Sequence, residues 1–65
     1  MKKEDILIEI QSEFRKNIKG AGLIYFALYD LIEANQPVTP EGIAAAVFVP
    51  LSFVSRYKYI WKQYV

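Results

Sequence analysis

The sequence predicts an all-α fold of four helices, and three observations carry the prediction. Apolar residues recur at steps of three and four through residues 4–18 and again through residues 50–63, the repeat of a single helical face. Between these segments, Thr39-Pro40-Glu41 is a helix-start signature. The chain breakers Gly20-Ala21-Gly22, Pro37 and Pro50 fall at the edges of the periodic stretches.

In the first segment Leu7, Ile10, Phe14 and Ile18 trace one face, widened by Ile6 and Ile8. Glu9, Glu13, Arg15 and Lys16 take the other side, with Glu13 and Lys16 spaced for an i,i+3 pair. Lys19 supplies a cationic last turn before the glycines stop the helix. Residues 22–34 contain no internal breaker after Gly22. Leu23, Phe26 or Ala27, Asp30 and Ala34 trace one face there, but Ile24, Leu28, Leu31 and Ile32 are apolar as well. A helix apolar nearly all round belongs at the centre of a fold. The rival reading of this segment is a strand, because Ile24-Tyr25-Phe26 is β-prone.

Asn35-Gln36-Pro37-Val38 forms a loop, since Pro37 disfavours helix before it. The third helix is expected from Pro40 to about Val47, with Thr39 as cap and Glu41 suiting the helix dipole. Pro50 is tolerated best in a first turn, so a fourth helix is expected to run to about Gln63. Val54, Tyr57, Trp61 and Tyr64 form its apolar stripe, flanked by Phe53 and Ile60. Its opposite face carries Ser52, Ser55, Arg56, Tyr59, Lys62 and Gln63.

Sixty-five residues make a single domain, 1–65, divided into an N-terminal helix (1–19) and a core (22–64). A chain this short buries only about 60% of the surface its unfolded form exposes. It has no Cys and no His, so disulfides, thiolate metal sites and imidazole chemistry are all missing. Packing and self-association must supply its stability. Its 54% hydrophobic content argues against disorder and for some apolar surface covered by a partner. Apolar residues on both sides of the first helix lead us to expect a homodimer with that helix in the interface.

The net charge of +1 is unevenly spread: residues 20–49 carry only Asp30, Glu33 and Glu41, and residues 50–65 only Arg56, Lys58 and Lys62. That asymmetry suggests an anionic partner for the C-terminal segment. The charged N-terminus and short apolar runs suggest neither a signal peptide nor a membrane span, so a cytoplasmic protein is expected.

Two short helices meeting at Phe48-Val49, the second amphipathic and basic, form a helix-turn-helix pattern. Ala44 is small enough for close backbone approach, while Ile43, Val47, Val49 and Val54 sit at offsets that fill the wedge. The stretch Thr39–Tyr57, TPEGIAAAVFVPLSFVSRY, resembles the DNA-binding unit of TetR-like and related trihelical bacterial transcriptional regulators. The resemblance extends loosely back to Gly22 and covers about two thirds of the chain. It implies a trihelical helix-turn-helix core with an extra N-terminal helix. With the sequence ending at Val65, no β-wing and no effector-binding domain are expected.

By the resemblance, residues 40–47 support and residues 50–63 enter the major groove of double-stranded DNA. The groove-facing positions are then Pro50, Leu51, Ser52, Ser55, Arg56 and Tyr59, with Lys62, and also Lys58, near the phosphates. Ile43, Ala44, Val49, Val54 and Tyr57 are implied to be buried. One position departs from the pattern: the family usually has Gly at the turn, in the left-handed conformation, and here Phe48 stands there. Either Phe48 adopts that conformation under strain, or the turn has another geometry with Phe48 in the core, or the register differs, or the segment is a helical hairpin that only mimics the motif. The second is expected, because an aromatic between Val47 and Val49 is hard to leave in water.

Each candidate has a plainer alternative. Arg56 and Lys62 could simply be solvated, Ser52 and Ser55 are common surface residues, and Tyr59 could pack against a partner subunit or the first helix. Tyr57 and Trp61 are expected in the core, and Lys2 and Lys3 in a solvated terminus. An enzyme is not expected: the chain has neither Cys as a nucleophile nor His as a base, Asp30 and Glu33 read as a wet helix edge, and Gly20-Ala21-Gly22 is no phosphate loop. No cofactor, metal site or small-molecule ligand is expected. The expected function is a homodimeric, sequence-specific DNA-binding regulator. The alternative is a helical protein–protein interaction module, an adaptor or anti-regulator, binding through the aromatic-rich fourth helix.

Overall fold

Every element that the computed structural model describes, over residues 2–16 and 20–65, is helical. Helix α1 spans Lys3–Lys16, with Glu4 and Asp5 in its first turn and Arg15 and Lys16 in its last, both matched to the helix dipole. Its inward line is Ile6, Ile10 and Phe14, four residues apart, with Ile10 fully enclosed and the other two partly buried against the core. Leu7 is not among the side chains packed against the core and Ile8 is exposed, so the inward face is rotated from the expected one. Glu13 and Lys16 do approach, at 3.8 Å. Ile18 and Lys19, expected to extend the face and the last turn, lie outside the described residues.

Helix α2, Ala21–Glu33, begins after Gly20, whose φ is 57°. A Cβ at Gly20 would come within 2.9 Å of the Tyr57 hydroxyl, so both the backbone and a close contact call for glycine. The segment is helix, not strand, and it is central: it packs against α1, against the helix before Phe48 and against the one near the C-terminus. The face traced through Leu23, Phe26, Asp30 and Ala34 is nevertheless the solvent side, with all four exposed. Gly22, Ile24, Tyr25, Ala27 and Leu28 are buried instead. Helical spacing says which residues share a face; where both faces are apolar, the neighbouring helices select the inner one.

The end of α2 is closed twice. Asn35 takes a left-handed φ of 58°, allowing Gln36 N–H to donate to Leu31 O at 2.8 Å. From α1, Lys3 Nζ donates to Glu33 O at 2.8 Å and Asn35 Oδ1 at 3.3 Å. Lys3 is therefore a tie between the two helices rather than a loose terminal charge.

Helix α3, Pro40–Val47, starts as the sequence predicts: Gly42 N–H donates to the Thr39 hydroxyl oxygen at 3.0 Å, and Pro40 occupies the first turn. It ends at Phe48, left-handed at φ 57° and ψ 48°. The Phe48 and Val49 N–H groups both donate to Ala44 O, reversing the chain. The expectation that Phe48 joins the core is wrong: its side chain is 94% exposed. The short reversal leaves no inward direction for this position, and Val47 and Val49 on either side pack against the core instead.

Helix α4 spans Leu51–Arg56 and α5 spans Lys58–Trp61, followed by a 3-10 turn over Lys62–Tyr64. The single helix expected over residues 50–63 is thus interrupted at Tyr57, at φ −109° and ψ 25°. Pro50 is extended and precedes α4 rather than opening it. Val54, Ile60 and Trp61 are buried, and Tyr57 is half-buried. Together with Ile10, Ile24, Leu28 and Ile43 they form the core, and among the described residues no buried polar side-chain atom lacks a partner.

Phe48→Gly is expected to stabilise the fold. It relieves a left-handed penalty of about 1–2 kcal/mol and gives back ~0.5–1 kcal/mol through the freer unfolded chain. Thermal melting should show a rise of a few degrees; a loss of several degrees would return Phe48 to a packing role.

Candidate nucleic-acid interface

The connection between α3 and α4 is three residues, Phe48–Pro50, with the left-handed residue first. Such a turn joins two helices at a steep angle. Val49, Ala44 and Val47 pack against the core beneath it, and Ile43 and Val54 are fully buried on either side. Of the five residues expected to be buried in the α3–α4 unit, Ile43 and Val54 are, while Ala44, Val49 and Tyr57 are only partly buried against the core.

The expected surface residues are all exposed: Pro50, Leu51, Ser52, Ser55, Arg56, Tyr59 and Lys62. Leu51, Ser52, Ser55 and Arg56 are brought together on the six-residue α4. Tyr59 lies beyond the break at Tyr57 on α5, and Lys62 follows in the 3-10 turn, so neither continues the axis of α4. An aromatic series bridges the break. The Phe53 and Tyr57 ring centroids are 5.2 Å apart, and those of Tyr57 and Tyr59 are 6.4 Å apart. Tyr59 keeps this one ring neighbour while remaining 73% exposed. No carboxylate side chain follows Glu41 in the sequence, so the charged side chains that the C-terminal elements themselves carry, Arg56, Lys58 and Lys62, are all cationic.

Two side-chain bonds hold these elements in place. The buried Trp61 indole N–H donates to Val54 O at 2.9 Å, reaching back across the break from α5 to α4. The Tyr64 hydroxyl donates to Glu9 Oε1 at 3.0 Å, fastening the C-terminal turn to α1. Burial, and then the hydrogen bond and charge of Glu9, push the Tyr64 pKa up to about 12. Burial also raises that of Tyr25, helped by Glu13 and Glu9 on α1.

Phe48 is the exposed residue of this region that hydrophobicity alone assigns to the core. A signal of its exposure exists in the sequence, since it stands where the resembled motif has Gly. Away from α4, a groove of about 240 Å³ between α1 and α2 is lined by Ile10, Phe14, Tyr25, Phe26 and Tyr29 with Gln11. Among the described residues, no helix is long and apolar enough to cross a membrane.

Trp61→Phe is expected to cost ~1–3 kcal/mol, from the missing indole bond and the smaller ring. The measurement is a urea midpoint; an unchanged midpoint would show that the bond across Tyr57 is not structural. Tyr64 sets a pH prediction. Its proton is held more tightly folded than unfolded, so its contribution is intact below pH about 10, the ordinary tyrosine value, and is lost as pH rises toward about 12. Stability should fall across that window, and less steeply in Tyr64→Phe. Parallel curves for the two proteins would refute the role of Tyr64.

No family model, curated protein or solved structure matches the chain.

Proposed function

We propose that the chain is a sequence-specific double-stranded DNA-binding transcriptional regulator, acting in the cytoplasm as a homodimer, with α4 entering the major groove. The observation that carries this reading is the α3–turn–α4 unit. Its three-residue turn, opened by the left-handed Phe48, leads into a helix whose exposed side chains are Leu51, Ser52, Ser55 and Arg56. Arg56 can form paired hydrogen bonds to a guanine edge or grip a phosphate, and the serines suit phosphate oxygens. Lys58 and Lys62 lie further along, where such helices leave the groove and meet the backbone.

The homodimer is supported by apolar surface away from α4: Ile8 on α1 is 65% exposed, and Phe26 on α2 is 53% exposed. Two-fold symmetry would place two copies of α4 on half-sites roughly 34–36 Å apart. Nothing in this role needs catalysis, a cofactor or a small-molecule ligand.

A helical adaptor or anti-regulator is the second reading. The exposure of Leu51 and Tyr59 on the same region favours it, since apolar side chains in water mark protein contacts as well. Retention on heparin at low salt favours DNA; a monodisperse protein complex without nucleic acid favours the adaptor.

The deciding experiment selects a bound duplex from a random pool and titrates it, and a scrambled duplex, across a salt series. Lys62→Ala is expected to weaken both evenly and to reduce the salt slope by about 1, the share of a single phosphate. Arg56→Ala is expected to cost ~1–3 kcal/mol more on the selected duplex than on the scrambled one. Equal costs on the two duplexes would make Arg56 a phosphate ligand rather than a base reader. No binding by the wild type at low salt would refute the DNA reading.

A further inference from the structure

We propose that Phe48 and Leu51 form an apolar prong that contacts thymine C5-methyl groups at the floor of the major groove, an inference that rests on the DNA-binding reading above. Phe48 is 94% exposed, and its backbone is left-handed at φ 57°, where glycine or asparagine would sit without strain. The chain therefore holds a large aromatic in a strained conformation and recovers almost no burial from it. Leu51, three residues on, is 48% exposed at the start of α4. Between them stands Pro50, which has no N–H to donate. None of these three side chains carries a hydrogen-bonding group. The leading edge of the unit thus lacks side chains that could read the polar pattern of a base pair.

A major groove offers such an edge one apolar group, the methyl of thymine. The charge of the C-terminal segment favours a polyanion over a second copy of this chain, and the DNA-binding reading makes that polyanion DNA. Residues 42–65 contain Arg56, Lys58 and Lys62 and no carboxylate side chain. A polyanion is attracted to that surface, whereas a second copy docking face to face would set like charges together. The prong supplies preference for thymine at the positions where α4 enters, and Arg56 one turn further along supplies the polar readout.

The test removes only the methyl groups. A duplex selected from a random pool by the wild-type protein is compared with the same duplex carrying deoxyuridine in place of every thymidine. Wild type, Phe48→Asn and Leu51→Ala are titrated against both. Asparagine tolerates the left-handed position, so Phe48→Asn should keep its helix content by circular dichroism. Wild-type binding is expected to weaken about fourfold for each contacted methyl removed, the effect that one buried carbon group of that size carries. Phe48→Asn and Leu51→Ala are each expected to bind the thymidine duplex more weakly and to discriminate less between the two duplexes. Their salt slopes should match the wild type, because neither side chain touches a phosphate. Equal discrimination in wild type and Phe48→Asn would overturn the role of Phe48. Salt-dependent binding by a wild type blind to the methyl groups would overturn the prong and leave the DNA reading standing. Absence of wild-type binding to either duplex at low salt would remove both. If sedimentation without DNA shows a wild-type dimer that Phe48→Asn abolishes, Phe48 belongs to an interface between copies and the prong is refuted.

Discussion

Burial of one face of α2 is the constraint on which the other helices depend. Ile24, Ala27 and Leu28 are completely enclosed there, and Ile10 of α1, Ile43 of α3 and Val54 of α4 are enclosed in the same core. Each of the larger of these side chains is worth about 1.5–3 kcal/mol on burial. A chain of this size has no disulfide or metal site built from Cys or His to add to that sum. The orientation of α3, and through it of α4, follows from how this face is covered.

Helix ends are the second constraint, because short helices leave a large share of their backbone groups unpaired. The chain meets it with two left-handed residues, Asn35 and Phe48, and with side-chain hydrogen bonds to the backbone. Lys3 closes the end of α2, the Thr39 hydroxyl opens α3, and the Trp61 indole takes up Val54 O beside the break at Tyr57. These bonds turn a string of short elements into a determinate arrangement. They also place the exposed face of α4 relative to the core, so a candidate binding surface of only six helical residues has a defined position.

Asn35 and Phe48 have nearly the same left-handed backbone, but chemically they differ. Asparagine is one of the residues that visit this conformation readily, and its side chain accepts from Lys3 Nζ. Phenylalanine gains neither advantage and stays in water. A local rule broken at an exposed position next to a basic helix points to surface chemistry rather than to folding.

Element type and most boundaries were legible in the residues. The periodic stripes, the Thr39-Pro40-Glu41 start and the Pro50 boundary act over one or two helical turns, so they are local in sequence and produce local structure. The exposure of Ser52, Ser55, Arg56, Tyr59 and Lys62 was legible for the same reason, since a polar face opposite an apolar stripe turns outward. Three features needed the tertiary structure. The inward face of α2 was ambiguous because almost every position is apolar, and its packed neighbours settle it. The break at Tyr57 is accompanied by the close approach of that side chain to Gly20 and by Trp61 reaching Val54 O, both between residues from different elements. Phe48 looked like core because hydrophobicity alone favours burial, yet the three-residue reversal between α3 and α4 holds it in solvent. Local propensities therefore determined what each segment of this chain becomes. Which apolar side chains are inside depended on which surfaces the assembled helices could cover, a property of the packed whole that no short stretch of sequence contains.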